Sequence, residues 1–209
     1  VVRSIRLILG LLLLGTVSTS SWADFSKQEV QAQFASAYQS QGLGRYEDAI
    51  KALTVVYLNY PKHYFANLKL GYAYYLNYQY ANARHHYQIA HESQPSAHAP
   101  FLGLMNIALA QKDYQQVEKY GFDLLKHDLN NYYGNLKLSY ALIEQHKDAL
   151  AQTLISKMLA YYPEDIAFLQ MQAQLYLKQD NLVAAKEVYE VILILDPNHV
   201  TAKYYLTKG

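Results

Sequence analysis

The chain has 209 residues, 52% of them hydrophobic, with a formal net charge of +1, a globular composition with enough apolar material for a core. A near-neutral charge without any basic run argues against a nucleic-acid ligand. The lack of cysteine excludes disulfides, thiolate metal sites and thiol nucleophiles. Tyrosine is unusually common, at 22 residues, and arginine is scarce.

Residues 1–23 read as a cleavable secretory signal peptide. Arg3 and Arg6 form a basic start, Leu7 to Gly15 is an apolar stretch, and Ser21-Trp22-Ala23 places small residues at both positions that set cleavage before Asp24. The apolar run is well short of the roughly 20 residues a membrane span needs. No cysteine follows it, so there is no site for a lipoprotein acyl group. The expected product from Asp24 onward is soluble and not inserted in a membrane. Loss of Arg3 and Arg6 leaves it with 16 basic against 17 acidic residues.

Beyond this point the sequence keeps a period of 34 residues. Pro61, Pro95, Pro163 and Pro197 fall on one beat, with Asp128-Leu129-Asn130-Asn131 supplying turn chemistry where the proline is missing. Ala49, Ala83, Ala151 and Ala185 keep the period, with Val117 in the gap; so do Tyr46, Tyr80 and Tyr114, and Leu70, Leu104 and Leu138. The segment NLKL occurs at 67–70 and again at 135–138, two periods apart. Such a period marks an array of helical units. Within each unit, apolar residues three and four apart make one buried stripe per helix. Short turns such as Gln41-Gly42-Leu43-Gly44 and Leu177 to Asn181 return the chain antiparallel. The prolines stop each unit, since proline cannot continue a helix. Small Gly71, Ala83 and Ala90 allow close helix approach, and a lone hairpin cannot bury its apolar face without stacked neighbours.

Leu70-Gly71, Tyr74, Tyr80, Ala83, Tyr87, Ala90 and Pro95 in one unit, and Ala173, Tyr176, Ala185, Tyr189 and Asp196-Pro197 in another, resemble the tetratricopeptide repeat (TPR) family. The resemblance covers five units: 30–63, 64–97, 98–131, 132–165 and 166–199. It implies an all-α, right-handed superhelical solenoid, with residues 200–209 forming a short capping helix. In this family the first helix of each unit lines a concave groove. Tyr46, Tyr74, Tyr80, Tyr87, Tyr114, Tyr176 and Tyr189 match packing positions and are expected in the core. Tyr38, Tyr72 and Tyr140 share a different register, one that Asn106 and Gln174 occupy in the other units, and are expected to face the groove. Phe65, Tyr75 and Tyr133 flank them, with Lys69 and Lys137 alongside. The two NLKL segments then read as two similar groove segments, each offering an Asn, a Lys and a nearby Tyr. The family's clamp for C-terminal carboxylates is not reproduced: Phe34 and Gly103 stand where it uses Lys and Arg.

These residues suit a protein or peptide partner, with tyrosine providing amphipathic surface and Lys and Asn polar fixing points. The resemblance and the leader together imply an exported, periplasmic scaffold in an envelope-assembly or secretion complex. The alternative is a glycan-associated module of an exopolysaccharide export system, because tyrosine rings also stack on sugars. No catalytic residues, metal or cofactor are expected: serine elbows, paired carboxylates and phosphate loops are missing. His85, His86 and His91 read as surface histidines, since none is paired at i and i+4. At the C-terminal end Leu206 is expected to pack back on the last repeat. Tyr204 and Tyr205 are expected to remain partly exposed as a contact surface for a partner or a second copy, making a homodimer conceivable.

Overall fold

The computed structural model describes residues 26–207, so the signal-peptide expectation lies outside the described residues. Those residues form helices and turns: α1 (Lys27–Gly42), α2 (Tyr46–Asn59), α3 (Tyr64–Leu76), α4 (Tyr80–Ser93), α5 (His98–Ala110), α6 (Tyr114–Leu125), α7 (Tyr132–Glu144), α8 (Asp148–Tyr161), α9 (Ile166–Lys178), α10 (Leu182–Leu195) and α11 (Val200–Thr207). The second helices start at 46, 80, 114, 148 and 182 and the first helices from α3 onward at 64, 98, 132, 166 and 200, 34 residues apart in each series. Val200, the first residue of α11, falls on the same beat as Tyr64, His98, Tyr132 and Ile166.

Local chemistry sets these boundaries. α1 opens with a capping box: the Glu29 amide donates to Ser26 Oγ at 3.2 Å, and the Ser26 amide donates to the Glu29 carboxylate at 2.6 Å. Those bonds hold the Glu29 carboxyl below its ordinary pKa. Asp113, Asn131, Asp165 and Asn181 cap α6, α7, α9 and α10 through side-chain oxygens that accept from exposed backbone amides. Where the proline is missing, Asp128 Oδ1 accepts from the Asn130 amide at 3.2 Å and its Oδ2 from Asn131 Nδ2 at 3.1 Å. An aspartate turn thus replaces a proline turn.

The turn within each unit passes through a left-handed residue: Gly44 (φ 71°), Tyr78 (58°), Lys112 (56°), His146 (56°) and Asp180 (56°). Only the first uses glycine, the residue that takes this conformation without strain. Lys112 is exposed and forms no ion pair among the described residues. Lys112→Gly is therefore expected to raise stability by up to about 1 kcal/mol, the relief of a left-handed penalty of about 1–2 kcal/mol less glycine's greater unfolded-state freedom, seen as a higher urea midpoint with an unchanged slope.

Each helix packs against its sequence neighbours, so the array is built from consecutive antiparallel contacts. The odd-numbered helices α3, α5, α7 and α9 also touch one another in series, while the even-numbered helices make no comparable contact among themselves. An array whose first helices approach more closely than its second helices curves toward the first-helix side, so those helices line the concave face.

Successive core clusters run along the array. One joins Ala37, Leu53 and Leu70; a central one is built on Met105, Leu138, Ile155 and Phe168; a last one joins Ala173, Tyr189 and Ala202. Tyr87 has a specific seat. A Cβ on Gly71 would come within 2.7 Å of its ring, and one on Gly103 would collide with the ring's far end. The buried tyrosine therefore lies against two backbones that carry no side chain. Tyr189, its counterpart three units later, is also buried, and its ring stacks on Tyr205 at 5.0 Å.

Three expectations need correction. Of the seven tyrosines assigned to the core, only Tyr87 and Tyr189 are buried. Tyr74, Tyr80, Tyr114 and Tyr176 pack half-buried at core edges, because a phenol hydroxyl is most cheaply left at water. Tyr46 is also half-buried and lines a surface cleft.

The second correction concerns the asparagines of the two NLKL segments, which are fully buried and so are not groove residues. Asn67 Nδ2 donates to the carbonyls of Pro61 (2.8 Å) and His63 (3.0 Å). Asn135 Nδ2 donates to those of Leu129 (3.1 Å) and Asn131 (2.8 Å). Each asparagine ties down the loop that enters its own helix, and that requirement accounts for the repeated Asn.

Third, His86 is not a surface histidine. It is 7% exposed, stacked on Tyr74 at 5.4 Å and set edge-on to Tyr57 at 5.0 Å. Its Nδ1 lies 2.9 Å from Asn67 Oδ1. Because the Asn67 amide nitrogen is committed to two carbonyls, its oxygen must accept, and His86 Nδ1 must carry the proton. Burial, with His85 adding a smaller repulsion, lowers the His86 pKa to about 4. Two units later Leu154 stands in the place of His86, and Asn135 Oδ1 is buried without a hydrogen-bond partner among the described residues.

Candidate functional site: the concave face

The odd-numbered helices place one register, Tyr38, Tyr72, Asn106, Tyr140 and Gln174, along successive units of the concave face. Tyr38 is 78% exposed, and Tyr72 and Tyr140 are also exposed, whereas Asn106 and Gln174 are half-buried. Phe65 and Tyr133 are 57% and 59% exposed. Singly exposed rings are ordinary, and others such as Tyr78, Tyr161 and Tyr162 stand at turns and helix ends. What distinguishes Tyr38, Phe65, Tyr72, Tyr133 and Tyr140 is that they recur on the first helices of successive units. Within α3, Phe65, Lys69 and Tyr72 are spaced by four and three residues and share a face; Tyr133, Lys137 and Tyr140 do the same in α7. Each lysine therefore sits between two rings.

Tyr38 and Tyr72 come together across units. With Tyr46, Leu43 and Leu76 they line a cleft of about 530 Å³. Lys69 and Tyr38 share an adjoining crevice floored by Ala37 and Leu53. Tyr140 meets Tyr114 of the preceding unit edge-on at 6.0 Å, and the pair raises the Tyr114 pKa, first through their side-chain hydrogen bond. Tyr75 is half-buried and tilts against Tyr80 at 6.0 Å; burial is the main cause of its raised pKa. Tyr75 is thus an edge of the site rather than an open face.

Lys69 is exposed, whereas Lys137 is half-buried, and burial lowers the pKa of Lys137. Neither lysine has a carboxylate at ion-pair distance among the described residues. Tyr46, Leu43 and Leu76 belong to the cleft but were not expected there. Tyr46 matches a packing position, but its place at the first residue of α2, beside an open turn, leaves it half-buried.

At the far end, Tyr204 and Tyr205 are 50% and 37% exposed on α11, and their rings meet edge-on at 5.3 Å. Leu206 packs against the last core cluster. These residues lie apart from the concave cleft, and the structure does not bring them to it. Among the described residues no group of His, Asp and Glu could hold a metal ion, and no helix is long and apolar enough to cross a membrane.

Comparison with known proteins agrees with this architecture. The model of a tetratricopeptide repeat family matches residues 31–63. No curated protein matches the sequence significantly. A tetratricopeptide repeat protein from Parabacteroides merdae superposes with a TM-score of 0.78 at 12% identity, covering 85% of this chain and 71% of that one. MamA from Desulfovibrio magneticus RS-1 superposes with a TM-score of 0.74 at 13% identity, over 82% of this chain and 97% of that one. YrrB, described as a TPR protein with an unusual peptide-binding site, gives a TM-score of 0.71 at 13% identity, over 87% and 94% of the two chains. At these identities the structural likeness speaks for the fold, and the repeat match speaks for the unit from which it is built. With helix starts 34 residues apart from α2 to α11, a family match over one unit and a concave first-helix face, this chain has the fold of a tetratricopeptide repeat array.

Proposed function

We propose that this protein is an exported scaffold that holds a segment of another protein against its concave face, within a cell-envelope assembly or secretion complex. The observation that carries the binding role is the row of exposed aromatics on the first-helix face: Tyr38, Phe65, Tyr72, Tyr133 and Tyr140. Rigid aromatic side chains lose little entropy on contact and provide the anchors typical of binding hot spots. The peptide-binding site named for YrrB, a protein of the same fold, supports this reading. Export rests on the order of Arg3 and Arg6, the apolar run and the small residues before Asp24.

Tyr72→Ala and Tyr140→Ala together are expected to lower partner capture at least tenfold while changing stability by less than about 1 kcal/mol. Quantitative pull-down from envelope extract, paired with urea denaturation, measures both. Equal capture by wild type and double variant would remove the groove from the function. N-terminal sequencing of protein recovered from the periplasmic fraction tests export, with Asp24 as the expected first residue.

A further inference from the structure

We infer that the groove's ligand is an acidic peptide segment, bound extended, with two carboxylate side chains five or six residues apart that pair with Lys69 and Lys137. This rests on the concave face being the binding surface. The first argument is charge. The first helices α1, α3, α5, α7 and α9 carry Lys27, Lys69, Lys137 and Lys178 against Glu29 and Glu144, whereas the second helices carry eight carboxylates against Lys51, Arg84, Lys119, Lys157 and Lys186. Glu29 is held in the capping box with Ser26, and Lys27, at the first residue of α1, lies outside the aromatic register. Lys178 is already engaged, donating to the Ile143 carbonyl at 2.7 Å, and Glu144 lies beside Tyr114. The cations left for a ligand are therefore Lys69 and Lys137. Lys137 is half-buried with no described counter-ion, an arrangement that costs free energy until an anion arrives.

The second argument is shape. Each lysine lies between an aromatic one turn before and an aromatic one turn after, so a carboxylate reaching it brings neighbouring apolar groups onto Phe65 and Tyr72, or onto Tyr133 and Tyr140. Between the two subsites α5 presents Ala99 and Asn106, which leave room for a chain to cross. Packed helices lie about 8–10 Å apart, which puts α7 about 16–20 Å from α3 across α5. An extended chain rising about 3.3 Å per residue spans that distance in five or six residues.

The test uses the full chain and synthetic peptides of about twelve residues on a Tyr/Leu/Ala background, read by fluorescence anisotropy. One carries two glutamates five residues apart, one carries them two apart, and one carries glutamines in the five-apart positions. The five-apart glutamate peptide is expected to bind at least tenfold tighter than either control and to weaken with salt. Lys137→Gln should cost more than Lys69→Gln, because Lys137 is the more buried. Equal binding of the glutamate and glutamine peptides, still reduced by Tyr72→Ala, overturns the acidic ligand while leaving the groove as a peptide site. No binding of any peptide, with a neutral oligosaccharide bound at the same tyrosines, overturns both the acidic ligand and the peptide-scaffold reading.

Discussion

Tyr87→Ala is expected to destabilise the array by about 3–5 kcal/mol, the cost of deleting a buried aromatic side chain. The ring is 3% exposed and lies against the bare backbones of Gly71 in α3 and Gly103 in α5, so its loss opens a cavity between three helices that no nearby side chain fills. Gly103→Ala is expected to be costly for the converse reason, since its methyl would collide with the Tyr87 ring. Combined with Tyr87→Ala, the same methyl enters the space left by the ring. The double variant should therefore be more stable than the sum of the single effects allows, a coupling that a double-mutant cycle measures. Additive losses would mean that ring and glycine do not share this space. The exposed Tyr72, by contrast, should be replaceable at little cost to the fold.

Stability is also expected to fall as the pH drops from about 6.5 to about 4, by roughly 2–3 kcal/mol from His86 alone. The folded protein holds His86 neutral, with a pKa lowered to about 4 by burial, while the unfolded chain binds its proton near the ordinary value. In that window the unfolded state carries more protons, so acid favours it; above pH 6.5 the contribution is constant. Other groups titrate as well, and the difference between wild type and His86→Leu isolates this one. The substitution is structurally plausible because Leu154 already occupies the equivalent position beside Asn135. Denaturation midpoints measured from pH 4 to pH 8 should converge toward low pH for the two proteins, and parallel curves would show that His86 is not held neutral.

The periodic features were legible in the sequence because the repeat forces them: prolines and alanines at 34-residue intervals fix where helices stop and where they touch. The left-handed turn residues share that period, yet Tyr78, Lys112, His146 and Asp180 have no composition in common, so the signal sits in backbone geometry alone. The groove aromatics were open to a separate reading because their register differs from the packing register. What one dimension conceals is the pairing of residues from different helices. Asn67 looks like a polar surface residue until His86, 19 positions later, and the carbonyls of the preceding loop are seen around it. Gly103 looks like a departure from a ligand clamp, and its structural role appears only once the Tyr87 ring is seen against it. The half-burial of Tyr46, Tyr74, Tyr80, Tyr114 and Tyr176 likewise depends on where each ring ends, which a consensus position does not specify.

A photo-crosslinking amino acid placed at one site at a time in living cells tests the central claim most directly, with Tyr72 and Tyr140 as concave sites and Leu58, 72% exposed on α2, as the outer control. The account predicts one and the same protein adduct from Tyr72 and Tyr140 and none from Leu58. An adduct at Leu58, with none from either concave site, would contradict it.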